Sequence, residues 1–147
     1  MTRLATRADD ERAIREVIAL YGMLLDDRRV DEWLDLFAPE AEFSQCKGHE
    51  QIAAAIVGGQ ASLGNKHLAC VSIVRVDGDA ALAWTDGLGL VDAGNTGSGP
   101  GYTLYPLRYY DRLRRMDGRW KFLRRDVQLP GQPVPPGAVA VPGRAGE

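Results

Sequence analysis

Cysteine and histidine are scarce in this chain, and each shortage closes a route. The two cysteines, Cys46 and Cys70, are too few for a disulfide framework. With only His49 and His67 beside them, their spacing matches no common zinc site, so two buried free thiols are expected. Long hydrophobic runs are also missing: nothing approaches the about 18 consecutive apolar residues of a membrane-spanning helix. The opening Met1-Thr-Arg-Leu-Ala-Thr-Arg has no apolar segment of the kind a secretory leader carries. A soluble, cytoplasmic chain without a membrane partner is the expectation. Charge of one sign is not in excess either, with 18 basic and 20 acidic residues giving a net charge of −2. That balance provides no electrostatic footprint for nucleic acid. Basic residues do gather between Arg108 and Arg125, but strand alternation would divide them over two faces. Phosphate-binding loops, nucleophile elbows, repeats and acidic pairs at metal-binding spacing are absent. Gly87-Leu88-Gly89 is not a dinucleotide fingerprint, because no helix follows it.

What remains is a chain of 147 residues, 45% hydrophobic, of a size to form one domain that buries about two thirds of its unfolded surface. Residues 10–26 carry the spacing of a long amphipathic helix, with Ile14, Val17, Ile18, Tyr21 and Leu25 on one stripe and Glu11, Arg12, Arg15 and Glu16 opposite. Thr6 or Asp9 can cap its start, where Asp9 and Asp10 suit the helix dipole. A short second helix is expected from Asp31 to Phe37, ended by Pro39, followed by a brief strand over residues 41–45. Gly48 then opens a third helix, expected over residues 50–63.

From Lys66 the period changes from helical to extended. Residues 66–76 are rich in β-branched side chains and end in Asp77-Gly78-Asp79, a hairpin turn; residues 80–91 return as the partner strand. Residues 92–101, dominated by glycine, suggest a flexible loop. Strands are expected at 103–115 and 119–127 around the turn Met116-Asp117-Gly118. Three helices followed by a meander of long strands is an α+β order. Residues 1–128 form the domain, and residues 129–147, with five of the eight prolines, form a tail either disordered or draped over it.

Two aspartates close the first helix, at the end where its dipole is negative and each carboxylate is disfavoured by about 0.3–1 kcal/mol. A carboxylate kept in such a place is a site candidate. Its natural partner is His67 at the start of the first long strand, since a histidine works best as a general base when a carboxylate orients its ring. Asp26 and His67 are therefore the expected pair, while Asp27, turned about 100° further round the helix, should be exposed. Tyr21 lies on the apolar stripe with a hydroxyl that needs a partner or a ligand. In the last strand an inward arginine would bind an anion or a carbonyl. Alternation groups Arg125 with Lys121, Leu123 and Val127, and Arg124 with Trp120 and Phe122, without choosing the inward face.

Together these residues resemble a known family. The order Tyr21-x4-Asp26, Trp33-x3-Phe37-Ala-Pro-Glu-Ala-Glu-Phe43, Gly48-x3-Ile52, His67 at a strand start, the Tyr110–Asp111 region, and Asp117-Gly-Arg-Trp-Lys-Phe122 resembles the SnoaL-like branch of the nuclear-transport-factor-two-like superfamily, over about residues 9–128. The resemblance implies a cone: a curved antiparallel sheet on three N-terminal helices, enclosing a deep apolar pocket. It is most similar to scytalone dehydratase, bile-acid 7α-dehydratase and hexachlorocyclohexane dehydrochlorinase, which are lyases without a cofactor. Their catalytic residues would fall on Asp26, His67, Tyr21 and Arg125, the last open to a one-residue slip onto Arg124. The function implied is dehydratase-type elimination on a hydrophobic cyclic or polyketide-like molecule. Isomerisation, ring closure, or a non-catalytic role like that of a dioxygenase β subunit are the alternatives. A homodimer or homotrimer is implied as well. The chain departs from these enzymes at Leu25, where scytalone dehydratase has a tyrosine, and in having no second strand histidine, so substrate identity does not carry over.

Overall fold

The structure is a computed structural model that describes residues 4–58 and 64–146, without the side chains of residues 95 and 96. Helix α1 spans Arg7–Asp26. It starts in a capping box: the Thr6 hydroxyl accepts from the Asp9 backbone N–H, and the Asp9 carboxylate accepts from that of Thr6. Its stripe of Ile14, Val17, Ile18, Tyr21 and Leu25 is buried as the spacing predicts, and Leu24 is buried beside it. Asp10 is buried too, taking Arg115 Nη1 at 2.6 Å and Trp120 Nε1 at 3.1 Å, which ties the helix start to the sheet.

Helix α2 is one turn, Val30–Leu34, and the chain is already extended in β1 at Phe37–Phe43. The expected helix to Phe37 and strand from residue 41 are thus corrected. Phe37 and Ala38 are fully buried, and Phe37 pairs with Phe122, so burial in the sheet overrides the helical pattern of the segment. Pro39 is tolerated because the register breaks between Phe37 and Glu42, where no ladder donor is needed. Strand β2 is Cys46–Lys47, and α3 runs over Gly48–Ile56, shorter than expected. Part of the expected helix, residues 59–63, lies outside the described residues.

Strands β3 (Lys66–Asp77), β4 (Ala80–Thr96), β5 (Gly99–Met116) and β6 (Arg119–Gln128) complete one curved, unclosed sheet in the order β2-β1-β6-β5-β4-β3. All neighbours are antiparallel except β1 and β6, which run parallel. The two expected hairpin turns are present, with Gly78 at φ +59° in one and Asp117 and Gly118 at +50° and +77° in the other. The expected flexible loop at 92–101 is instead the far end of a long β4–β5 ribbon, paired out to Thr96 opposite Gly99. Glycine-rich segments carry no side-chain signal for strand, but their backbone donors and acceptors find partners on the facing strand all the same.

The helices pack on the concave face. On the convex face the tail is draped rather than loose: the Trp84 indole donates to the Val139 carbonyl at 2.8 Å, and Arg112 to that of Gly137 at 2.9 Å. Among the described residues no helix is long and apolar enough to cross a membrane.

Candidate active site

β3 is an edge strand, and an edge leaves backbone groups without partners. The structure closes that edge with α1. Arg15 Nη1 donates to the Ser72 carbonyl at 2.8 Å, and one oxygen of Asp26 accepts the His67 backbone N–H at 2.9 Å. Helix and strand come this close because residue 22 is glycine: a Cβ there would lie 3.0 Å from both the His67 Cβ and its carbonyl oxygen. The second Asp26 oxygen is 2.6 Å from His67 Nδ1, so one carboxylate holds both the backbone and the ring of the same residue. The Asp26 side chain is 5% exposed and that of His67 18%. Lys66 Nζ stands 3.5 Å from Asp26 on the solvent side. With Nδ1 engaged by the carboxylate, proton transfer by this ring falls to Nε2.

Tyr21 and Arg125 join the same region. The Tyr21 ring meets the His67 ring edge-on with centroids 6.2 Å apart, and is otherwise enclosed by Trp33, Phe37, Phe43, Tyr109 and Phe122. Burial pushes its phenol well above the ordinary value, so at neutral pH it is a neutral O–H donor. Arg125 is fully buried, with its guanidinium 4.3 Å from the Tyr21 ring centre, 3.9 Å from Tyr109 and 4.2 Å from Phe122. Three aromatic faces around one cation is a strong cation–π arrangement. Its Nε and Nη2 donate to the two oxygens of Asp111 at 2.7 and 2.8 Å. Burial pushes the Asp111 carboxyl upward, Arg125 pulling against it; burial also opposes the charge on Arg125, which Asp111 outweighs to hold it above its usual value.

The inward arginine is Arg125, and simple alternation misassigns its neighbours. A register shift between Arg112 and Leu113 leaves Leu123 as an extra residue in β6, so Phe122 pairs with Leu113 and Arg125 with Asp111. The bulge moves Arg125 onto the face of Trp120 and Phe122. Arg124 lies on the other face, bound to Asp126 at 2.7 Å and also to Glu42.

Tyr109 and Asp111 are neighbours of these side chains that reasoning from sequence misses. Both sit on the inward parity of β5, Asp111 directly opposite Arg125, and a buried arginine requires such a counter-ion. Elsewhere, Asp27 is exposed as expected, and the His49 ring nitrogen lies 3.0 Å from the Phe37 carbonyl, an anchor for α3. The thiols are corrected: Cys46 is half-buried and Cys70 exposed, at the bulge where β3 shifts register against β4. Among the described residues no three His, Cys, Asp or Glu side chains converge on a metal position.

Aromatic side chains fill the deep end of the concave face. The space left among Ile18, Tyr21, His67, Tyr109 and Arg125 is about 10 Å³, room for about one water. A larger space of about 380 Å³ lies by Asp86, Leu107, Arg108, Leu129 and Pro130. There Arg108 and Asp86 satisfy one another at 2.5 and 2.9 Å, the arginine holding the carboxyl below its usual range.

A family model described as SnoaL-like domain matches residues 6–126. Among solved structures, an NTF2-like protein with a cystatin-like fold from Novosphingobium aromaticivorans is similar at 25% identity, covering 84% of each chain with a TM-score of 0.72. A protein from the same organism, described provisionally as a scytalone dehydratase, is 22% identical over 82% of this chain and 83% of its own, with a TM-score of 0.68. The β subunit of a provisionally described aromatic-ring-hydroxylating dioxygenase from that organism is 22% identical over 78% and 85%, with a TM-score of 0.62. No protein of curated function matches the chain.

Proposed function

From the premise that the chain belongs to the SnoaL-like domain family, we propose that it is a cofactor-independent lyase that eliminates water from a hydrophobic cyclic molecule. The observation that supports this reading most is the doubly held pair: Asp26 fixes both the ring and the backbone of His67, and the ring stays partly open to solvent. His67 Nε2 takes the proton beside a carbonyl, the electron pair forms the new double bond, and the hydroxyl on the next carbon departs. The imidazolium, stabilised by Asp26, returns that proton to the leaving oxygen, so water is released and the base regenerated. Tyr21, neutral through burial, borders the one-water space it shares with His67, and through a water held there it donates toward the substrate oxygen on which charge develops. Arg125 takes a positioning role: Asp111 occupies two of its nitrogens, and it braces the Tyr21 and Tyr109 rings.

The test is a panel of cyclic β-hydroxyketones monitored by mass spectrometry for loss of water. His67→Ala and Asp26→Asn are expected to lower turnover about 10²- to 10⁴-fold with the circular-dichroism spectrum intact. Retained turnover in either variant removes the mechanism. Isomerisation or ring closure on the same pair is told apart by a product of unchanged mass. The likeness to a dioxygenase β subunit favours one reading of another class, an assembly subunit without chemistry of its own. Co-purification with a larger iron-containing partner, and no turnover of any panel member, would establish that instead. A homodimer or homotrimer is proposed as the working assembly, checked by light scattering.

A further inference from the structure

Beyond the deep end, the concave face continues onto the ribbon, and its register is unbroken there. His67, Gly89 and Tyr105 stand side by side in one row across β3, β4 and β5, and Ala69, Gly87 and Leu107 form the next. These rows share the face that carries the dyad, because side chains two apart on a strand point the same way. The middle strand contributes only glycine to both.

The two glycines have different reasons to be there. At Gly87 a Cβ would sit 2.6 Å from the Leu68 carbonyl oxygen, so close backbone approach requires glycine. At Gly89 the nearest atoms to an added Cβ are those of Tyr105 at 3.8 and 3.9 Å, ordinary contact, and its φ is not in the left-handed region. Among the described residues nothing requires glycine at 89, and glycine inside a strand weakens it. A bare position beside His67 leaves a floor. Its walls, His67 and Tyr105, are two strand spacings apart, about 9–10 Å, the width that admits a flat ring. Tyr105 is 47% exposed, so a good part of its side chain is open to contact.

We propose that Gly89 and Tyr105 form the substrate platform: a planar or near-planar ring lies over Gly89, against Tyr105, with its reactive edge toward His67. The proposal rests on the dyad reading for what happens at that edge, but not for binding. The side chain missing at 89 admits the ring, and Tyr105 sets which rings are held.

The test uses 2-naphthol as a probe, titrated into the ¹⁵N-labelled full chain. Saturable shifts at the amides of His67, Gly89 and Tyr105 are expected. Gly89→Val should weaken binding at least tenfold while keeping or raising the melting temperature, since a β-branched residue suits a strand. That split between lost binding and kept stability is one a structural role would not produce. Gly89→Ala and Tyr105→Ala should each weaken binding in the same direction, and they decide the matter if Gly89→Val does not fold. Leu104→Ala, on the opposite face of the ribbon, should change nothing. 2-Naphthol is bound without being turned over, so its titration reads the platform by itself, while turnover of the hydroxyketone panel reads the dyad, and loss of the one is told apart from loss of the other. The platform is overturned by absence of saturable shifts, by shifts confined to the convex face around Leu104 and Pro106, or by Gly89 variants that bind like the wild type.

Discussion

Two aspartates on the concave side of this protein each grip a cationic or cation-forming partner, and they do opposite things. Asp111 and Arg125 are sealed, 3% and 0% exposed, with a two-point contact walled by aromatic rings. Asp26 and His67 meet at a similar distance, but the histidine reaches the surface of the cavity and the carboxylate is shared with a backbone N–H. A sealed pair of opposite charges has nothing to react with and costs desolvation, so its return is a fixed geometry. A pair at the rim can exchange a proton with a substrate. Burial, more than residue type, separates a pair that can only hold the fold from a pair that a ligand could meet.

Breaking the sealed pair should therefore have the largest effect on stability. Asp111→Ala strands a buried guanidinium and is expected to cost about 3–5 kcal/mol in urea unfolding, whereas replacing both partners, Asp111→Leu with Arg125→Met, should recover much of that. If the single and double variants are equally unstable, the pair is not the unit described above. Gly22→Ala tests the open pair without touching either member: a methyl 3.0 Å from His67 must push α1 from β3. It should cost about 1–3 kcal/mol, as overpacking does, and lower turnover together with it. Unchanged turnover would show that the contact between helix and strand has slack. The smallest effect at neutral pH concerns Tyr21 and Tyr109, both raised above the ordinary phenol value by burial. Because the folded values lie above the unfolded value of about 10, their contribution is whole below pH 10 and is lost as pH rises beyond it. The loss is up to about 1.4 kcal/mol per tyrosine for each pH unit. Urea midpoints flat from pH 7 to 9 and falling above 10 are expected; Tyr109→Phe should soften the fall.

The contact between Asp26 and His67 is legible in the sequence because its signals are local and odd: an acid at the wrong end of a helix, and one of only two histidines at a strand start. Tyr21 follows from helical spacing. Asp111 is not legible, since its reason is Arg125, and Arg125 cannot be assigned to a face without the bulge at Leu123. The α1 stripe and both tight turns are legible for the same local reasons. The segment at Phe37–Phe43 is not, because its helical pattern yields to pairing with a distant strand, and the glycine-rich ribbon end is not, because ladder bonds leave no trace in side-chain type.

The His67 backbone N–H, which ends on Asp26, makes the helix-strand junction its own gauge. Hydrogen exchange at that single amide reports whether the carboxylate is in place, with no substrate, inhibitor or assay. Any change that loosens the grip, at residue 22, at the helix end or in an assembled partner, should speed exchange there before it touches the melting curve. The junction thus carries a readout of its own readiness.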